Sequence, residues 1–205
     1  MRPIDWISVK KQSLARAARE AGYDLTMFDD YPKAVQDTLR YHSIRNVLDN
    51  LCNDFESETE KYLSNVKQGV YIICLSDPFT VQYGSKRSNI VYIGRGSILG
   101  RLKSHFENSL FDVMMSLAGA DFYFYLAEST DKNEDGYFKQ LEHDLLSSFR
   151  STIGDGKYPL LNKNAGTNVN LKLGDGWNKP LKASGKRPTW AISPTGRRPI
   201  KKLAG

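Results

Sequence analysis

The chain has 205 residues, of which 40% are apolar and 25% charged, with a formal net charge of +6. That is enough for one full core, or for one small domain with appendages, in a composition ordinary for a globular protein. No apolar run approaches the roughly 18 residues that cross a bilayer, and the opening MRPIDWISVKKQ has no signal-peptide core, so a membrane or secreted protein is not expected.

Two cysteines, Cys52 and Cys74, are too few for a disulfide framework and lack metal-ligand spacing. Both are expected to be buried thiols of a cytoplasmic protein. The charge is unevenly spread. Residues 163–205 hold ten Lys and Arg against one acid, Asp175, or +9, which leaves −3 for residues 1–162. A basic tail on a mildly acidic body points to an electrostatic partner such as nucleic acid, with a merely solubilising tail as the plainer alternative.

Residues 1–66 read as a helical N-terminal extension. Ser8 is placed as the cap of a helix through Ala21, with Leu14, Ala17, Ala18 and Ala21 on one side and Gly22 as its stop. A second helix starts at Pro32, and Val35, Leu39, Val47, Leu48 and Leu51 keep helical spacing along it. Asp54–Lys61 reads as a connector or a helix end. The region is either a small DNA-binding helical unit or a brace packed on the domain C-terminal to it. Its own charge of −2 favours the brace.

Gly69–Leu75 (GVYIICL) is a strand whose alternation puts Tyr71, Ile73 and Leu75 on one face. Ser76–Asn89 reads as a long polar loop. A second strand, Ile90–Gly94, is followed by a turn over Arg95–Gly100 and a helix with Leu99, Leu102, Phe106 and Leu110 as its apolar stripe. Arg101 and His105, four apart, share another face of that helix. Ala120–Ala127 (ADFYFYLA) alternates aromatics and is the clearest strand in the sequence. Tyr137–Arg150 reads as a helix, with Glu142 falling inside its stripe of Phe138, Leu141, Leu145, Leu146 and Phe149. A carboxylate placed there needs a partner, most simply a metal ion. After Asn162 the chain is poor in apolar residues, and its lysines, glycines and Trp177 and Trp190 look suited to following a phosphate backbone. Those tryptophans can stack on a base or anchor the tail to the body.

The blocks GVY (69–71), YIG (92–94), GRLKSHF (100–106), LEHDLL (141–146) and PLLN (159–162) stand in this order on a ββαβα pattern, and in combination they resemble the GIY-YIG nuclease family over residues 67–164. The link between the two tyrosine strands is longer than the family minimum, GVY stands for GIY, and Arg95 follows YIG where some members carry Lys. The resemblance implies a mixed α/β (α+β) fold with a central three-stranded antiparallel sheet flanked by helices. To it the N-terminal extension and a basic, loop-rich C-terminal tail (165–205) are added.

The implied activity is metal-dependent hydrolysis of DNA phosphodiester bonds with one divalent cation, Mg²⁺ or Mn²⁺. Carried over by position, Glu142 holds the metal and Arg101 stabilises charge on the phosphate. Tyr71 or Tyr92 helps deprotonate the attacking water, His105 assists, and Asn162 orients a catalytic group or a phosphate. Arg95, Lys103, Lys163, Lys186, Arg187, Arg197 and Arg198 are the cations expected to meet duplex DNA. A module that binds nucleic acid without cutting it, and an RNA-directed nuclease or toxin, are the alternatives.

Overall fold

The computed structural model describes residues 4–117, 120–128, 135–184 and 190–193. It is a mixed α+β protein. Its main sheet has four strands in the order β1-β6-β2-β5, every neighbouring pair antiparallel. These are β1 (Ile7–Gln12), β2 (Gly69–Leu75), β5 (Ile90–Gly96) and β6 (Phe122–Glu128). β2 is central and buried along its whole length, which is why GVYIICL is apolar on both faces. β6 lies between β1 and β2, and its Phe122, Phe124 and Leu126 are fully buried.

The N-terminal region departs from its all-helical reading. Ile7–Gln12 is a strand on the edge of the main sheet, in register with Leu126, Tyr125 and Phe124 of β6. The sheet therefore has four strands rather than three. Helix α1 (Leu14–Glu20) starts later than expected, capped by Ser13, whose Oγ accepts from the Arg16 N–H at 3.2 Å. Ser8 is paired within the strand instead. The partner that makes ISVKKQ a strand lies more than a hundred residues away, beyond the reach of local periodicity. Helix α2 (Lys33–Thr59) runs unbroken through the acidic DFESET segment and buries Leu39, Ile44, Val47, Leu48, Leu51 and Phe55. It lies on α1 and β1, so residues 1–66 share the core of the rest of the chain.

The expected polar loop 76–89 also holds structure. β3 (Phe79–Tyr83) and β4 (Lys86–Ser88) form a hairpin about Gly84, whose φ of +56° suits a tight two-residue turn. β3 pairs on its other side, in parallel, with β7 (Trp190–Ile192). The tail thus contributes a strand to a second, three-stranded sheet ordered β4-β3-β7. Elsewhere its described part is laid on the body. Asp175 O accepts from the Ile4 N–H, Trp6 Nε1 donates to the carbonyls of Gly176 and Trp177, and Gln140 Oε1 accepts from the N–H groups of Val169 and Leu171. Over residues 165–184 the tail packs against the protein, contrary to the expectation of a strand free for a phosphate backbone. Trp177 is its anchor, partly buried against the core, whereas Trp190 is 74% exposed.

Helix α3 (Ile98–His105), a single π-helical turn (Phe106–Leu110) and α4 (Phe111–Ser116) form one continuous rod, and α5 (Asp135–Thr152) packs on β5 and β2. Cys74 is buried, Cys52 half-buried, and both are free thiols. Among the described residues no helix is long and apolar enough to cross a membrane.

Candidate active site

The chemistry-bearing side chains gather where β2 and β5 run beside α3. Tyr71 stands opposite Gly94 and Ile73 opposite Tyr92, and directly opposed residues of an antiparallel pair share a face. Tyr71, Tyr92 and Gly94 therefore point to one side of the sheet and Arg95 to the other. The absence of a side chain at Gly94 is a packing requirement. A Cβ there would lie 2.5 Å from Tyr92 Cε1 and 2.8 Å from the Tyr71 hydroxyl. Gly69 is constrained in the same way, by the Ala127 carbonyl oxygen at 2.6 Å and Ile98 Cδ1 at 2.7 Å.

The rings of Tyr71 and Tyr92 stack at 5.8 Å and 27°. His105, reaching in from α3, completes the group. Its Nε2 is 2.9 Å from the Tyr71 hydroxyl, and its ring lies 4.2 Å from that of Tyr92. The one-turn spacing of Arg101 and His105 brings Arg101 beside both phenol hydroxyls. The π turn begins immediately after His105, a widening of the helix common at functional sites that no sequence signal announced.

Electrostatics divide these groups into two kinds. Tyr71 is wholly buried, and burial, then the neighbouring Tyr92, push its phenol above the ordinary range against the opposing pull of Arg101. It keeps its proton and can donate it to His105 in a hydrogen bond. Burial, then the positive charge of Arg101, push His105 down to about 4, so its imidazole is neutral at pH 7. A neutral acceptor beside a protonated phenol is a rigid hydrogen-bonded pair. Tyr92 is half-exposed and is the tyrosine that solvent reaches.

Glu142 approaches from α5, on the face of β5 that carries Arg95. Arg95 Nε donates to Glu142 Oε2 at 3.0 Å, with side-chain exposures of 30% and 16%. Burial raises the Glu142 carboxyl, and Arg95, Arg101 and His143 counter it. Arg101 is thus within electrostatic range of both the tyrosines and Glu142, and it links the two faces at the end of β5.

Among the described residues no three His, Cys, Asp or Glu side chains gather into a metal cage. A single half-buried carboxylate is still an oxygen donor of the kind a hard cation takes when water and substrate oxygens fill its remaining positions. The donor set fits Mg²⁺ or Mn²⁺ on those terms. Gly166 of the tail crosses nearby, where a Cβ would come within 3.3 Å of Glu142 Oε2.

Asn162 does not reach this cluster with its side chain. Its Oδ1 accepts from the Ile93 N–H at 2.9 Å and its Nδ2 donates to the Ile93 carbonyl at 2.7 Å, on the outer edge of β5. It is a positioning residue for the strand that carries Tyr92, Gly94 and Arg95. Among the cations expected to meet nucleic acid, Arg95 is engaged with Glu142. Lys103 is exposed at 3.9 Å from Glu107, and Lys163 is exposed next to Asn162. Lys186, Arg187, Arg197 and Arg198 lie outside the described residues. No protein-family model, curated protein or solved structure matches the chain.

Proposed function

We propose that the protein is a divalent-metal-dependent endonuclease of the GIY-YIG type that hydrolyses phosphodiester bonds in DNA. The observation that supports this most is the convergence of Tyr71, Tyr92, Arg101 and His105 on one point, with Glu142 inside the field of the same arginine. These residues are scattered over 72 positions of sequence, and packing alone gives no reason for an arginine, a histidine and two phenols to meet beside a half-buried carboxylate.

In this reading Glu142 holds Mg²⁺ or Mn²⁺, which supplies charge stabilisation at the scissile phosphate and the leaving oxygen. Arg101 adds a fixed positive charge at the phosphate. Tyr92, the phenol open to solvent, takes the proton of the attacking water, and Arg101 beside it stabilises the phenolate. Tyr71 and His105 hold Tyr92 and Arg101 in place through their buried hydrogen bond, which recasts His105 from a proton carrier into a positioning residue. The exposed Lys103 and Lys163 offer contacts to the flanking phosphates.

The test is incubation of the purified protein with supercoiled plasmid, linear duplex and RNA, with Mg²⁺ or with EDTA, beside the Glu142→Ala variant. Nicked and linear plasmid is expected with Mg²⁺ only, and with the wild type only. Cutting by Glu142→Ala at the wild-type rate, or no cleavage of any DNA, overturns the reading. Preferential loss of the RNA moves the substrate class.

A further inference from the structure

The carboxylate that the proposed metal needs is already occupied. Among the described residues Arg95 is the only hydrogen-bond partner of Glu142, through Nε to Oε2 at 3.0 Å. The Gly166 backbone closes over the same oxygen. A guanidinium and a divalent cation compete for one anionic site, because each supplies the positive charge that a half-buried carboxylate requires. Arg95 also sits where β5 ends. Its side chain is 30% exposed, and it lies one residue from Gly94 at the tyrosine cluster and one from Gly96, whose φ is +123°. Released from Glu142, its guanidinium is placed to meet a phosphate at the same site, in the bidentate geometry that arginine favours.

We infer that Arg95 is an exchangeable counter-ion. It holds Glu142 in the free protein, a divalent cation displaces it, and the freed guanidinium transfers to the phosphodiester of the bound nucleic acid. The inference rests on the nuclease reading and adds to it a coupling between metal loading and substrate grip. No covalent step is involved: one ion pair is exchanged for a metal–carboxylate contact and an arginine–phosphate contact. Metal and nucleic acid then bind with positive cooperativity, since each removes one member of a pair that the other must break.

The experiment uses the full chain and Mn²⁺ alone, titrated by calorimetry without nucleic acid, for the wild type, Arg95→Ala, Arg95→Gln and Glu142→Gln. Removing the competitor tightens Mn²⁺ binding by about fivefold to tenfold in both Arg95 variants, the worth of roughly one exposed-to-half-buried ion pair. Arg95→Gln keeps the side-chain stem, so the comparison survives if Arg95→Ala fails to fold. Glu142→Gln removes the Mn²⁺ binding event. In EDTA, Glu142→Gln binds a duplex more tightly than the wild type, and adding Arg95→Gln abolishes that gain. Unchanged or weaker Mn²⁺ affinity in a folded Arg95 variant overturns the exchange and leaves the nuclease reading standing. Wild-type Mn²⁺ affinity in Glu142→Gln overturns both.

Discussion

Asn162 closes two hydrogen bonds on a single residue, Ile93, accepting from its N–H at 2.9 Å and donating to its carbonyl at 2.7 Å. One amide side chain thereby does for the outer edge of β5 what a neighbouring strand would do, and Leu161 extends the cover by donating its N–H to the Val91 carbonyl at 2.9 Å. Replacing Asn162 by Ala leaves two backbone groups of a buried strand without partners. Stability is expected to fall by about 1–2 kcal/mol. Cleavage falls further than that loss accounts for, because Tyr92, Gly94 and Arg95 ride on the same strand. Denaturant unfolding together with plasmid nicking at a temperature where the variant is folded checks both. A folded variant with full activity refutes the positioning role.

Gly94→Ala forces a methyl group to within 2.5 Å of Tyr92 and 2.8 Å of the Tyr71 hydroxyl. Overpacking of this kind costs about 1–3 kcal/mol. The strain is relieved only by moving a tyrosine, so activity is expected to vanish at temperatures where circular dichroism still reports a native fold. Retained cleavage would mean that the tyrosine pair tolerates displacement.

Tyr92→Phe and Tyr71→Phe separate the two phenols. Tyr92 is open to solvent, and its loss is expected to cripple cleavage while changing stability by less than about 1 kcal/mol. Tyr71 is buried and hydrogen-bonded to His105, so its loss costs about 1 kcal/mol of stability and a smaller share of the rate. Single-turnover rates at saturating protein discriminate the two. The reverse order of effects would transfer the proton-accepting role to Tyr71.

The depressed His105 makes stability depend on pH in a definite direction. Its ordinary value is 6.5, and burial with Arg101 brings it to about 4 in the folded protein. As pH falls from 6.5 towards 4 the unfolded chain takes up a proton that the folded chain refuses, so stability falls through that window. Glu142, raised by burial, works oppositely: its contribution is fullest when it is protonated and declines as pH rises through the carboxylate range. His105→Asn is expected to flatten the acid limb between pH 6.5 and about 4, measured by thermal unfolding across a buffer series. An unchanged slope would assign the acid sensitivity elsewhere.

Truncation tests the two parts of the tail separately. A chain ending at Gly166 loses the Gln140 clamp on Val169 and Leu171 and the Trp6 contacts with Gly176 and Trp177, and is expected to melt lower. A chain ending at Ser193 keeps them and loses Arg197, Arg198, Lys201 and Lys202. Its melting temperature should match the full chain, while its duplex affinity falls less steeply with salt, by about 0.9 in log–log slope for each phosphate contact removed. An identical slope would exclude those four cations from the nucleic-acid contact.

By itself the sequence determined the elements whose period is local. The apolar run of β2, the alternating aromatics of β6, and the stripes of α2, α3 and α5 are read from neighbours two to four residues apart, and they stand where those periods put them. It also marked Glu142 as a carboxylate out of place in an apolar stripe. Tertiary structure decided whatever depends on a partner distant in the chain. Ile7–Gln12 became a strand because β6 offers it an edge, and Phe79–Tyr83 became one because Lys86–Ser88 and Trp190–Ile192 flank it.

The same holds for the site. Sequence placed Asn162 among the chemical groups, but its hydrogen bonds go to the strand behind them. Arg95 looked like a cation for phosphate, and the approach of α5 to β5 pairs it with Glu142. Periodicity fixes which way a side chain faces along its own element. What it meets there is set by the burial of whole faces against one another, and that choice is made only when the chain closes on itself.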